Sequence, residues 1–127
     1  MALVALPAAA NDVDYRQHVM AAVGGHMQAS AEILRQRVPH QAHAGLHAES
    51  LANLAAIAGS LFPAGSEGGD TLPATWQRPD DFAAKLQDFE EAAAGFSAAV
   101  AAEDRVGPAF QRLGQSCKNC HDDYRAK

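Results

Sequence analysis

The stretch Cys117-Lys118-Asn119-Cys120-His121 lies close to the C-terminus, and the arrangement of the rest of the chain follows from it. The spacing C-x-x-C-H is typical of covalent c-type haem attachment: two thiols add to the vinyl groups of one porphyrin, and the adjacent histidine binds the iron. On a helix the two cysteines share one face, with His121 about 100° further round. Both sulfurs and the imidazole can therefore serve a single macrocycle.

Other interpretations of the two cysteines explain less of the pattern. A thioredoxin-like C-x-x-C lies beside a βαβ unit, and this chain has no strand-like alternation of apolar and polar residues. A structural zinc site needs four ligands, and there is no second cysteine pair. An intrahelical disulfide leaves the histidine unexplained. A haem-free helical interaction module that carries the pentapeptide by chance remains the third possibility.

The cysteines also fit the apolar periodicity of a C-terminal helix, predicted from about residue 103 or 105 to residue 125. Its apolar positions alternate steps of four and three: Val106, Phe110, Leu113, Cys117, Cys120 and Tyr124. A helix that starts near Pro79 has the same alternation: Phe82, Leu86, Phe89, Ala93, Phe96 and Val100. The cysteines therefore occupy core positions, where haem replaces part of the apolar core.

The first helix is predicted from Asn11 to about Arg37, on the helical spacing of its apolar residues. Asn11 or Asp12 can cap its start, and Pro39 ends it because proline lacks a donor and restricts the residue before it. The pair Gly24-Gly25 weakens the middle of this helix. Such a pair predicts close approach by a neighbouring helix or a flat ligand.

A second helix is predicted from Pro39 to about Ala58, with Gly59 as its stop. Its first half carries His40, His43 and His47. His43 and His47 lie one turn apart and could hold a divalent cation. No carboxylate or cysteine completes a ligand set at those steps, so a solvated polar face is the preferred interpretation.

The connection from residue 60 to residue 78 is long for a compact helical domain, and such connections are usually functional or disordered. It contains glycines, prolines and the only tryptophan. Phe62, Leu72 and Trp76 are apolar anchors along it. They predict an ordered loop laid over another surface, for which a haem edge is a candidate.

Four amphipathic helices with a period near 3.5 predict an all-α fold, an antiparallel four-helix bundle with covalent haem c near the C-terminal helix. The 127 residues suffice for one domain, predicted from residue 11 to residue 127. The net charge of −5 argues against nucleic acid as a partner.

Residues 1–10 are apolar, and Ala8-Ala9-Ala10 has the small-x-small form of a signal-peptidase site. No Lys or Arg precedes this site, and the apolar run is too short to span a membrane. We interpret the segment as the remnant of a secretory signal or as a disordered arm. Because c-type haem is attached outside the cytoplasm, the predicted location is the bacterial periplasm.

Three segments together resemble the class II cytochromes c, the cytochrome c′ and cytochrome c-556 family. The first is Tyr15-Arg16-Gln17 with Met20, and the second is the loop 62–70 with Trp76. The third is the C-terminal stretch 117–125, Cys-Lys-Asn-Cys-His-Asp-Asp-Tyr-Arg. The resemblance covers essentially the whole chain after residue 10.

The resemblance implies roles for individual residues. It implies thioether attachment through Cys117 and Cys120, and His121 as the proximal iron ligand. It places Arg16 and Gln17 at the haem propionates, with Asp70 nearby, and Arg125 near the proximal pocket. An interaction of Arg125 with the C-terminal helix dipole is the alternative role. A guanidinium suits the propionate role because it can donate two hydrogen bonds and neutralise the charge.

By the family's register, Met20 faces the distal side of the iron. If its thioether binds the iron, the protein is a periplasmic electron carrier with six-coordinate low-spin haem, not an enzyme, serving an unidentified redox partner. This is the preferred prediction. The alternative is a five-coordinate, high-spin cytochrome c′ that binds NO or CO. Family members are often dimers through their first two helices, so a homodimer is also predicted.

Overall fold

The computed structural model describes residues 8–127; residues 1–7 of the predicted leader lie outside the described part. Five α-helices follow one another: α1 (Ala8–Leu34), α2 (Ala44–Ile57), α3 (Ala74–Gln77), α4 (Pro79–Ala102) and α5 (Val106–Tyr124). Two short 3₁₀ helices, Gln41–His43 and Ala58–Leu61, flank α2. Between residues 8 and 127 there is no β-strand, only isolated bridges that involve Thr71.

The four long helices form the predicted bundle, and α3 is a single turn in the long connection. Helix α1 packs on α2, α2 on α4, and α4 on α5. The core is built from the expected apolar faces, and its main members are Val23, Leu51, Phe89, Ala93, Phe96 and Leu113. Burial of each large apolar side chain contributes about 1.5–3 kcal/mol, so these interfaces hold the bundle together.

The fourth side of the bundle, between α1 and α5, has the loosest backbone packing and is called the open side below. Among the described helices, α1 and α5 have almost no contact with each other, although each packs on its other neighbour. Helix α1 carries Arg16 and Met20, and α5 carries the segment from Cys117 to His121. The open side therefore lies between the two helices on which the sequence places the haem residues.

The first helix differs from its predicted bounds. It begins at Ala8, so Asn11 lies inside the helix and is not its cap. It ends at Leu34, where Gln36 adopts a left-handed φ of 57°. The amide of Arg37 then donates to Glu32 O at 2.9 Å, and that of Gln36 to Ile33 O at 3.0 Å. This is a Schellman termination, so α1 ends before Pro39 can affect it.

The second helix also differs from its prediction. Pro39 does not start it: a 3₁₀ turn, Gln41–His43, precedes α2 at Ala44. Gly59 does not stop it, because the backbone tightens into the 3₁₀ helix Ala58–Leu61 and continues.

No neighbouring helix approaches the pair Gly24-Gly25, so that part of its prediction is wrong. A Cβ atom placed on either glycine would meet no atom within 4 Å. Both residues are exposed on α1.

None of the helices between residues 8 and 127 combines the length and hydropathy that a membrane crossing requires.

Candidate haem site

The two cysteines lie on α5 as unpaired, partly buried thiols. Cys117 packs against the apolar core of the bundle. Burial raises the pKa of Cys117, and burial together with the nearby Cys117 raises the pKa of Cys120 to about 11. Both groups are therefore held as neutral thiols on the inner part of α5, placed for covalent attachment of one porphyrin.

His121 follows on the same helix, in the last turn of α5. Desolvation lowers the pKa of His121, and the positive charge of Arg125 lowers it further. The imidazole therefore favours the neutral form, which is the form that coordinates a metal ion.

Arg16 is the most heavily hydrogen-bonded side chain near the open side, and it is only 2% exposed. Its Nη1 donates to Leu61 O and to Ser66 Oγ, each at 3.1 Å. Its Nη2 donates to Ser66 O at 2.9 Å and to Gly68 O at 3.3 Å. The guanidinium also lies over the Phe62 ring, 5.1 Å from its centroid. Arg16 thus orders the loop that follows the 3₁₀ helix Ala58–Leu61.

The same loop rests on α1 through glycine. Gly69 has a φ of +59°, a conformation that glycine adopts without strain. A Cβ atom at Gly69 would lie 3.1 Å from Val13 Cγ1 and would overlap the amide of Gln17. The loop can therefore lie flat against α1 only because this residue has no side chain. Gln17 is exposed and borders the loop at Gly69; its place at the propionates stays a prediction.

The far end of the loop is joined to the end of α5. The amide of Leu72 donates to Tyr124 O at 2.9 Å, and the amide of Ala126 donates to Asp70 O at 2.7 Å. Thr71 and Arg125 form an isolated antiparallel bridge. Arg16, Gln17, Asp70 and Arg125, which are far apart in sequence, thus belong to one end of the bundle.

Tyr124 has a role that the sequence did not indicate beyond its core position. Its ring is buried edge-on against Phe82, with centroids 5.0 Å apart, and its hydroxyl donates to the Asp81 carboxylate. The guanidinium of Arg78 lies over the Tyr124 ring, 5.3 Å from the ring centroid. Burial and the Asp81 carboxylate raise the pKa of Tyr124 to about 12. This contact fixes the end of the attachment helix to the start of α4.

Met20 lies on α1, one turn after Arg16, and is partly buried. Val19 and Val23, on the same stretch of α1, are buried, and Val23 belongs to the apolar core. The position is thus on the helix that borders the open side, and its side chain is neither fully buried nor fully exposed.

Comparison with known protein families identifies the relatives of this chain. The family model described as Cytochrome C′ matches residues 11–125. The chain belongs to the cytochrome c′ family. Its cofactor is accordingly haem c, attached through Cys117 and Cys120, and the partly buried thiols beside an open bundle side fit that cofactor.

Curated relatives and solved structures cover nearly the whole chain. Cytochrome c-554 of Cereibacter sphaeroides is 36% identical over 98% of this chain and 92% of its own length. Cytochrome c′ of Alcaligenes xylosoxydans is 34% identical over 91% of this chain and 93% of its own length. A nitric oxide complex of a point variant of cytochrome c prime from Alcaligenes xylosoxidans superposes with a TM-score of 0.85, at 34% identity over 91% of this chain and 94% of that chain. A carbon monoxide complex of another variant matches equally well.

These comparisons correct the preferred sequence prediction. A six-coordinate low-spin carrier with axial His121 and Met20 is wrong, because the chain matches cytochrome c′ and structures of a cytochrome c prime with NO or CO bound. A diatomic ligand needs a coordination position that a Met thioether would fill. The physical reason for the error is that a methionine on a helix face is more often a flexible apolar residue than a ligand.

Proposed function

We propose that this protein holds a five-coordinate haem c and binds NO or CO on the face opposite His121. The observation that carries the proposal is the structural match, at a TM-score of 0.85 and 34% identity, to NO and CO complexes of cytochrome c prime. A haem iron with a single axial ligand supplies a vacant position where a diatomic gas coordinates. The chain's own residues decide how accessible and how apolar that position is.

His121 is proposed as the axial ligand. Desolvation and Arg125 both favour its neutral imidazole, so no proton must be removed before coordination at neutral pH. Its backbone carbonyl also accepts a hydrogen bond from the amide of Arg125 at 3.2 Å, which fixes the end of α5 around the ligand.

Met20 is proposed to line the distal side without binding the iron. It comes from the helix that borders the open side of the bundle, in a stretch where Val19 and Val23 are buried. An apolar thioether there limits the space for a gas molecule and keeps water out, since neither the sulfur nor its methylene groups donate hydrogen bonds.

Arg16, Gln17 and Asp70 are proposed to border the haem propionates. The terminal nitrogens of Arg16 are already hydrogen-bonded to the loop between Leu61 and Gly68, so its contribution there is a fixed positive charge and an ordered loop. Asp70 is exposed and anchored through its backbone carbonyl. The charge of Arg16 favours propionates at this end of the bundle.

The remaining predictions are part of the same proposal. Covalent haem attachment outside the cytoplasm supports a periplasmic location, and a gas-binding role involves no catalytic turnover. A homodimer through α1 and α2 is supported by two exposed side chains, Tyr15 at 56% and Leu46 at 60% exposure. We also propose a redox partner protein, to which no surface of this chain is assigned.

The absorption spectrum of the ferric holoprotein at pH 7 tests this proposal. We expect a high-spin spectrum that lacks the absorption band, near the red end of the visible range, that indicates Met-sulfur ligation. The Met20→Leu variant should have the same spin state. A low-spin ferric spectrum that becomes high-spin in Met20→Leu would overturn it.

A further inference from the structure

Two histidines meet on the side of the bundle formed by α1 and α2. The Nδ1 atoms of His26 and His47 lie 2.9 Å apart, and their ring centroids are 5.1 Å apart. His26 comes from α1 and His47 from α2, so the pair joins two helices of one chain. Both rings are partly exposed in the single chain.

The pair was not visible in the sequence. Spacing along α2 drew attention to His40, His43 and His47, and the absence of a further ligand made a solvated face the preferred interpretation. In the structure His40 and His43 stack on each other, with centroids 4.7 Å apart and rings 4° from parallel. His47 pairs instead with His26, a ligand from the neighbouring helix that spacing along one helix cannot find.

The separation of the two nitrogens fits a chelate. Two nitrogens each about 2.05 Å from a metal ion stand about 2.9 Å apart at a right angle and about 3.3 Å apart at a tetrahedral angle. The observed 2.9 Å corresponds to the right angle, which tetragonal Cu²⁺ prefers. The same distance also fits a hydrogen bond between one protonated and one bare nitrogen.

The surroundings of His47 favour its neutral form. Burial lowers the pKa of His47, and the neighbouring His26 and His43 lower it further. Neutral imidazole is the metal-binding form, and imidazole ligands suit Cu²⁺, Ni²⁺ and Zn²⁺. Within residues 8–127, no three His, Cys, Asp or Glu side chains are grouped to enclose a metal ion. A metal here would therefore have two protein ligands and complete its coordination with water.

We propose that His26 and His47 together form a surface site for a divalent transition-metal cation, with Cu²⁺ bound most tightly. The site lies between α1 and α2 and does not use the haem residues. It does not rest on the gas-binding proposal, and either can fail without the other. Cu²⁺ is favoured over Zn²⁺ by the right-angle separation of the nitrogens and by the general order of affinities for nitrogen ligands.

Calorimetric titration of the ferric holoprotein with CuCl₂ or ZnCl₂ at pH 7.5 tests the site, because covalent haem then occupies the cysteine thiols. We expect about one equivalent of Cu²⁺ to bind, more tightly than Zn²⁺. His26→Gln and His47→Gln should each weaken Cu²⁺ binding by about tenfold or more, since each removes one of the two ligands. His18→Gln, at an exposed position of α1, is the matched control and should leave the affinity unchanged.

The other outcomes contradict the proposal. Absence of Cu²⁺ binding by the wild type would mean that the two histidines only share a hydrogen bond. Loss of binding in His43→Gln with retention in His26→Gln would place the ion on α2 alone. Thermal unfolding gives an independent readout: Cu²⁺ should raise the Tm of the wild type and of His18→Gln but not that of His26→Gln, because the ion stabilises only the fold that brings the two helices together. An equal rise in the Tm of the wild type, His18→Gln and His26→Gln would also overturn the proposed metal site.

Discussion

Arg16 binds Ser66 at two atoms: Nη2 donates to its backbone carbonyl at 2.9 Å, and Nη1 donates to its hydroxyl at 3.1 Å. The hydroxyl of Ser66 in turn donates to Pro63 O at 2.7 Å. A residue of the first helix thereby fixes the loop whose other end joins the end of the haem-attachment helix. The two helices that border the open side are thus linked through a loop, with few close backbone contacts between them.

Arg16→Lys should lower the free energy of unfolding by about 2–3 kcal/mol, because an ammonium cannot reproduce four charge-assisted hydrogen bonds to the loop. Urea unfolding of the holoprotein measures this change. The control is Arg112→Lys, whose guanidinium is 53% exposed and lies 3.6 Å from Asp88; its effect should stay below about 0.5 kcal/mol. Equal effects of the two substitutions would show that Arg16 does not order the loop.

Gly69→Ala should destabilise the protein by about 1–2 kcal/mol, because the residue has a φ of +59° and a Cβ would crowd Val13 and Gln17. Gly45→Ala is the matched control in α2, where a Cβ meets no atom within 4 Å. Since alanine favours a helix over glycine, that substitution should stabilise the fold by about 0.5 kcal/mol. If the urea midpoints of Gly69→Ala and Gly45→Ala moved in the same direction from that of the wild type, this account of the loop would be contradicted.

Tyr124→Phe should lower the free energy of unfolding at pH 7 by about 1–2 kcal/mol, because the hydrogen bond to Asp81 is lost. The pKa of Tyr124 is raised from 10.0 to about 12 in the fold, so the unfolded chain loses the phenolic proton first as the pH rises. The advantage of wild type over Tyr124→Phe is therefore complete below pH 10 and shrinks as the pH rises towards 12.

Urea unfolding of both proteins at pH 8 and pH 11 measures that difference. Comparison with the phenylalanine variant removes the contribution of other groups that titrate in the same range. An advantage of wild type that grows with pH would show that the phenol is not the proton donor to Asp81.

Much of the fold was predictable because it depends on local periodicity. The alternating steps of four and three along α4 and α5 placed Phe89, Phe96 and Leu113 in the core, where the structure has them. Helix ends were less predictable, since α1 stops at a left-handed Gln36 that carries no strong sequence signal, and Gly59 is absorbed into a 3₁₀ turn.

The site was predictable where a motif fixes the chemistry and less so where geometry does. The spacing of Cys117, Cys120 and His121 specified the cofactor, but it could not decide the state of the opposite haem face. Met20 was assigned as a ligand from its register alone, and its side-chain chemistry permits both roles. The Arg16 bonds to the loop and the contact of Tyr124 with Asp81 depend on residues 43 to 52 positions apart, which no local pattern reveals.

Met20→Ala should leave the iron five-coordinate and speed CO binding, because a smaller side chain leaves more room on the distal side. Stopped-flow mixing of the ferrous variant with CO measures this rate. Met20→Leu, which conserves volume, is the control and should bind at nearly the wild-type rate. Equal rates in all three proteins would mean that Met20 does not line the gas-binding face.

CO titration of the ferrous wild-type holoprotein at pH 7, followed by its absorption spectrum, tests the central claim most directly. A five-coordinate haem with a vacant face predicts that the wild-type protein forms a CO complex to completion. Failure of the wild type to bind CO, together with ready binding by Met20→Ala, would contradict the account, because it would mean that the Met20 sulfur occupies the sixth position.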